Sequence, residues 1–145
     1  MKNIIKNIIA VLLVISLYGC GETHYIIYIV NSANHTISCN LALGGDSGYY
    51  PDTLLKTDLS VVKIKPDKYY SFDSDFKWEK IFSKLPKDTM SVFIFHTDTL
   101  NKFTWKEIKD MYLILKRYDL SYDDLVRLNN RIPYPPDERM KNMKM

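Results

Sequence analysis

The chain has 145 residues, 46% hydrophobic and 26% charged, with 20 Lys and Arg against 17 Asp and Glu and a formal charge of +3. Acids and bases are interleaved, without the continuous basic stripe that phosphate backbones require, so nucleic acid is not an expected partner. Two cysteines cannot build a disulfide framework, which leaves packing as the source of stability.

Lys2 and Lys6 precede an apolar run from Ile8 to Leu17, and Leu17-Tyr18-Gly19-Cys20 closes it with a small residue before the cysteine. Basic residues, a short apolar stretch and a small-residue cleavage site are the order of a bacterial lipoprotein leader. The run is too short to cross a bilayer, for which roughly 20 apolar residues are needed. Residues 1–19 are therefore expected to be removed as a signal peptide, with Cys20 becoming the lipidated first residue of the mature chain. The remaining 126 residues fit one domain, expected over 20–136 and followed by a flexible tail over 137–145. The leader lysines carry two of the three net positive charges, so the mature chain is close to neutral.

His24 to Val30 reads as a strand with apolar residues on both faces, starting almost directly after the anchor. Asn31 to Asn34 makes a turn, and the alternation from His35 to Leu43 predicts a second strand that pairs with the first as an antiparallel hairpin. Cys39 shares the apolar parity, so it is expected in the core as an inert thiol. Gly44 to Gly48 breaks the pattern into a loop. Leu59 to Lys65 is read as a strand that Pro66-Asp67 ends. Trp78, Ile81, Phe82 and Leu85 share one face of a short helix stopped by Pro86. Ser91 to Thr97, with Val92-Phe93-Ile94-Phe95, is apolar on both sides and is assigned a central place in the sheet.

Thr104 and Glu107 form a capping box for a helix that turns Trp105 and Ile108 inward, and Ser121 and Asp124 repeat it with Leu125 and Leu128. Between them Tyr112 to Tyr118 reads as a strand. Pro133 to Pro136 favours an extended polyproline-like segment. The fold class expected is mainly β: a single small antiparallel sandwich, or a sheet with two or three short helices, the alternative being an α+β arrangement with helices on one sheet face.

The chain resembles a family of small, functionally uncharacterised lipoproteins of Bacteroidetes bacteria. The resemblance rests on Tyr50-Pro51-Asp52-Thr53, Asp98-Thr99-Leu100, Tyr112 to Leu120, Asp124-Leu125, Leu128-Asn129, Ile132 to Pro136 and Met140 to Met145. It implies a cell-envelope module rather than an enzyme class. By analogy with lipoprotein sorting, Gly21 in place of an aspartate favours the outer membrane, and Glu22 as the single nearby acid leaves the periplasmic face and the cell surface both open. Asp52-Thr53-Leu54, Asp88-Thr89-Met90 and Asp98-Thr99-Leu100 resemble the Asp-Thr-apolar tripeptide that these bacteria glycosylate, which makes Thr53, Thr89 and Thr99 candidate O-glycosylation sites. Local backbone bonding by Asp and Thr in turns explains the same tripeptides without sugar.

No nucleophile elbow, P-loop or dinucleotide fingerprint occurs, and His24, His35 and His96 lack metal-ligand spacing, so neither a catalytic residue nor a cofactor is assigned. Asp67, Asp73 and Asp75 offer alternate oxygens without the glycine or remaining ligands of a calcium loop. Asp123 and Asp124 suit a helix N-terminus. Tyr49 and Tyr50, beside the glycine-rich loop, form the candidate ligand surface, and Tyr134 is a further exposed aromatic. The function expected is a non-catalytic structural or interaction module, held by lipid at the outer membrane and meeting an envelope protein or glycan. The alternative is a carbohydrate- or peptide-binding accessory lipoprotein.

Overall fold

The computed structural model describes residues 25–44, 48–52, 55 and 61–145; the leader, Cys20, His24 and Thr53 lie outside the described residues. The strands among them are β1 (Tyr25–Asn31), β2 (Ile37–Ala42), β3 (Val62–Ile64), β4 (Lys68–Ser74), β5 (Thr89–His96), β6 (Lys116–Ser121) and β7 (Arg131–Tyr134). The helices are α1 (Trp78–Phe82), α2 (Thr97–Lys102), α3 (Trp105–Asp110) and α4 (Tyr122–Arg127). The strands make a three-stranded sheet in the order β4-β1-β7 and a four-stranded sheet in the order β3-β2-β5-β6. Every pairing is antiparallel except that of β1 with β7. The protein is mainly β, with two sheets face to face and short helices added, so features of both expected architectures coexist.

Ile27 and Ile29 of β1, Ile37, Cys39 and Leu41 of β2, and Met90, Val92 and Ile94 of β5 form one buried cluster between the sheets. Trp78 and Phe82 of α1 and Leu125 of α4 close it, and the Trp78 indole donates to the Tyr25 carbonyl at 3.0 Å. The alternate β5 residues, Phe93 and Phe95, belong to a second cluster on the far side of the four-stranded sheet. There Leu100 of α2 and Trp105 and Ile108 of α3 roof them, with the Trp105 and Phe95 rings 5.8 Å apart. β5 is thus flanked by β2 and β6 and covered on both faces, as its unbroken apolar run predicts.

β1 and β2 do not form the expected hairpin: they belong to different sheets. Asn31 accounts for the switch. Fully buried at the end of β1, its Nδ2 donates to the carbonyls of His35 (2.9 Å) and Ile64 (3.0 Å), and its Oδ1 accepts from the Ala33 amide (3.0 Å). The amide makes the local turn and also fastens it to β3 of the opposite sheet.

Several elements depart from the sequence reading. β4 is an additional strand whose residues are mostly exposed or half-buried, so it carries little periodic signal. β7 runs through Pro133, which an edge strand tolerates because its missing N–H costs no ladder bond on the open side. The strand expected over Tyr112 to Tyr118 starts later, at Lys116, because Tyr112 takes a positive φ of 51° and ends the α3 turn. The segment expected as a flexible tail is instead packed: Met140 and Met143 lie in the inter-sheet cluster, and the Asp119 amide donates to the Lys144 carbonyl at 3.0 Å. Tyr134, expected to be exposed, is also in that cluster.

Candidate functional site

The two capping boxes form as the sequence requires. Thr104 and Ser121 each accept from the amide three residues on, while Glu107 and Asp124 accept from the cap amides at 2.7 and 3.0 Å. Those bonds hold the Glu107 carboxyl below its ordinary range. Asp124 also accepts from Arg127 at 2.6 Å, so its charge is committed to the helix start. Asp123 stays exposed in the same turn.

Potential nucleophiles are committed likewise. Cys39 is fully buried, and burial pushes its thiol up to about 12. Ser91 is 1% exposed and donates to Asp119 at 2.6 Å, while Arg117 binds the same carboxylate at 2.8 Å and lies over the Phe93 ring. This knot joins β5 to β6 and leaves the Ser91 hydroxyl no approach from solvent.

The fold brings His35 and His96 together, which their sequence separation conceals: the rings stack 4.8 Å apart at the β2–β5 end, and Tyr134 meets His35 edge-on at 6.1 Å. His96 accepts from the Asp98 amide at 3.3 Å and so caps α2. Among the described residues, no group of three or more His, Cys, Asp or Glu side chains could hold a metal. Thr89 donates to the Lys87 carbonyl at 2.7 Å, and Thr99 lies inside α2, not in a loop. Both are half-buried.

Tyr49 and Tyr50 have different surroundings. Tyr50 is half-buried, with the Lys144 ammonium at its hydroxyl and 4.5 Å from its ring centre, and Lys87 5.7 Å from that centre. Tyr49 is 51% exposed and forms one wall of a cleft of about 260 Å³. Leu43, Ile81 and Leu85 supply its apolar surface, Phe76 the other aromatic wall, and Lys80 and Lys84 its cations. Gly44, at a φ of +88°, fixes the tyrosine's place: a Cβ there would come within 2.2 Å of the ring. Neither lysine has a carboxylate partner among the described residues. Sequence reasoning found Tyr49 through the glycine-rich loop and missed Phe76, Lys80 and Lys84, because nothing local links a helix start to a loop some thirty residues earlier.

Comparison with known proteins brings no relative to this geometry: no family model matches the chain, and no curated protein or solved structure is significantly similar to it.

Proposed function

We propose that the protein is a lipid-anchored envelope module, held at the outer membrane through acyl groups on Cys20 and acting without catalysis. The observation that carries this reading is the juxtaposition of a lipoprotein cleavage sequence ending at Cys20 with a first strand beginning at Tyr25. Each acyl methylene contributes about 0.8 kcal/mol to membrane partitioning, so two or more chains hold the domain stably where one does not. The non-catalytic assignment is supported by the burial of Cys39 and Ser91 and by the use of Asp124 and Asp119 as structural acceptors. Metabolic labelling with an alkynyl fatty acid tests the anchor: the native protein takes up label, and Cys20→Ser takes up none. Label retained by Cys20→Ser, or an unmodified soluble native product, overturns the proposal.

The cleft favours a second reading, a carbohydrate- or peptide-binding accessory role. Two aromatic walls beside two lysines suit a ligand with a flat apolar face and a negative charge, such as an acidic sugar. Titration with acidic oligosaccharides, measured by calorimetry, gives saturable binding on this reading, lost in Tyr49→Ala and weakened in Lys84→Ala. Binding unchanged by both substitutions removes it.

A further inference from the structure

The two outer faces of the sandwich are treated differently. Helices α2 and α3 roof the four-stranded sheet. The outer face of the three-stranded sheet, bare of any helix among the described residues, carries the half-buried Ile26, Tyr28 and Val30 of β1, which join neither buried cluster. By the strand register, Tyr69 and Ser71 of β4 and Arg131 of β7 share that face. Tyr69 is 59% exposed and meets Tyr28 edge to face at 5.3 Å, and the Arg131 guanidinium lies 5.0 and 5.6 Å from the two ring centres. Aliphatic side chains, amphipathic rings and a cation bound over those rings are the composition that settles at a membrane–water interface, where Tyr packs among headgroups and Arg pairs with phosphate.

Tether length selects among the surfaces that could meet a membrane anchored at Cys20. Tyr25 follows Cys20 by five residues, a reach of at most about 17 Å even when fully extended. Sheets pack about 10 Å apart and a helix adds about 10 Å more, so the helix roof lies at least about 20 Å from the plane of β1, out of reach. The far end of β1, six residues beyond Tyr25, is about 20 Å away as well. The near end and the outer face both lie within reach and share the exposed Asp73, but the aromatic pair and the Arg131 guanidinium belong to the face alone. Asp73 stands at the β4 margin of the bare face, with Arg131 toward the opposite margin.

We infer that the bare face of β4-β1-β7 rests on the phospholipid headgroups of the anchoring membrane, with Tyr28, Tyr69 and Arg131 as its contact residues. This rests on acylation at Cys20. The test uses the full lipoprotein in vesicles of phosphatidylethanolamine and phosphatidylglycerol (3:1) containing a headgroup-nitroxide lipid. A fluorophore is placed at Ser71→Cys on the bare face or at Lys106→Cys on the helix roof, and the buried Cys39 is inaccessible to the label. Quenching several-fold stronger at Ser71 than at Lys106, and reduced by Tyr69→Ala with Arg131→Ala, is the expected result. Equal quenching in protein that floats with the vesicles and carries the acyl mass overturns this inference and leaves the anchor standing. Protein that neither floats nor carries acyl mass overturns both. A Ser71 label shielded equally with and without vesicles, with a doubled particle mass in detergent, assigns the face to a second copy and overturns it too.

Discussion

Removing residues 137–145 distinguishes a packed C-terminus from a loose one. The deletion takes away Met140, fully buried, and Met143, 7% exposed, together with the backbone bond from Asp119 to Lys144. Truncating one buried methionine to alanine costs about 2–5 kcal/mol. The two lie in one cluster and share neighbours, so their losses overlap and the pair is worth about 4–8 kcal/mol. A domain of this size holds about 5–15 kcal/mol in all. Met140→Ala should therefore lower the urea midpoint by the equivalent of about 3 kcal/mol with an unchanged m-value, and the truncation should leave a marginal or unfolded domain. Trp78 sits in the same cluster, so tryptophan fluorescence follows the transition. A truncated protein that unfolds within about 1 kcal/mol of the intact one refutes the packing argument, because no pair of core methionines is removed so cheaply.

Asn31→Ala leaves the Ala33 amide and the His35 and Ile64 carbonyls without their partner and should cost about 2–4 kcal/mol in chemical denaturation; a cost near zero would mean that the inter-sheet switch does not depend on it. Cys39 should be inert to a disulfide reagent at pH 8 in the native state and titrate fully on unfolding. Its folded-state pKa lies above its ordinary value of 9.0, so the unfolded chain releases the proton first. Stability is then fully present below pH 9 and falls as pH rises toward 12, approaching a slope of about 1.4 kcal/mol per pH unit, and Cys39→Val should flatten the first part of that fall. Burial raises Tyr118 in the same direction and steepens the decline above pH 10. Ser121→Ala should cost about 1–2 kcal/mol and Thr104→Ala about 0.5–1 kcal/mol, because Ser121 serves the half-buried cap and Thr104 an exposed one; equal costs would show that burial does not set the difference.

What was legible in the sequence was local. The capping boxes at Thr104 and Ser121 depend on residues three apart, so pattern alone specifies them, and the Trp78 spacing gives the start of its helix, which ends at Phe82 and leaves Leu85 to join the core from an extended residue. The place of β5 in the sheet followed from an apolar run that needs cover on both sides. Hidden features depended on distant partners. Asn31 looks like an ordinary turn residue until Ile64, thirty-three positions later, accepts its amide hydrogen. Met140 and Met143 look like a loose end because their partners are strands laid down far earlier in the chain. The candidate cleft joins Tyr49 to Phe76 and Lys84 through a packing of loop on helix that no motif encodes.

β1 and β5 set the same problem and receive different solutions. Both are apolar on alternate residues of both faces, and sequence reasoning gives them equal need of cover. For β5 the answer is local: the chain leaves at His96, turns directly into α2 and α3, and lays Leu100, Trp105 and Ile108 over Phe93 and Phe95. β1 is followed by a strand in the other sheet, and among the described residues no helix packs on Ile26, Tyr28 and Val30. An apolar strand face therefore reports that something must cover it, without saying whether the cover is the same molecule. The neighbouring chain makes that distinction here. Downstream of β5 lies a pair of short amphipathic helices that roof its second face, whereas the residues that follow β1 continue into the opposite sheet, so among the described residues the outer face of β1 gains no such roof.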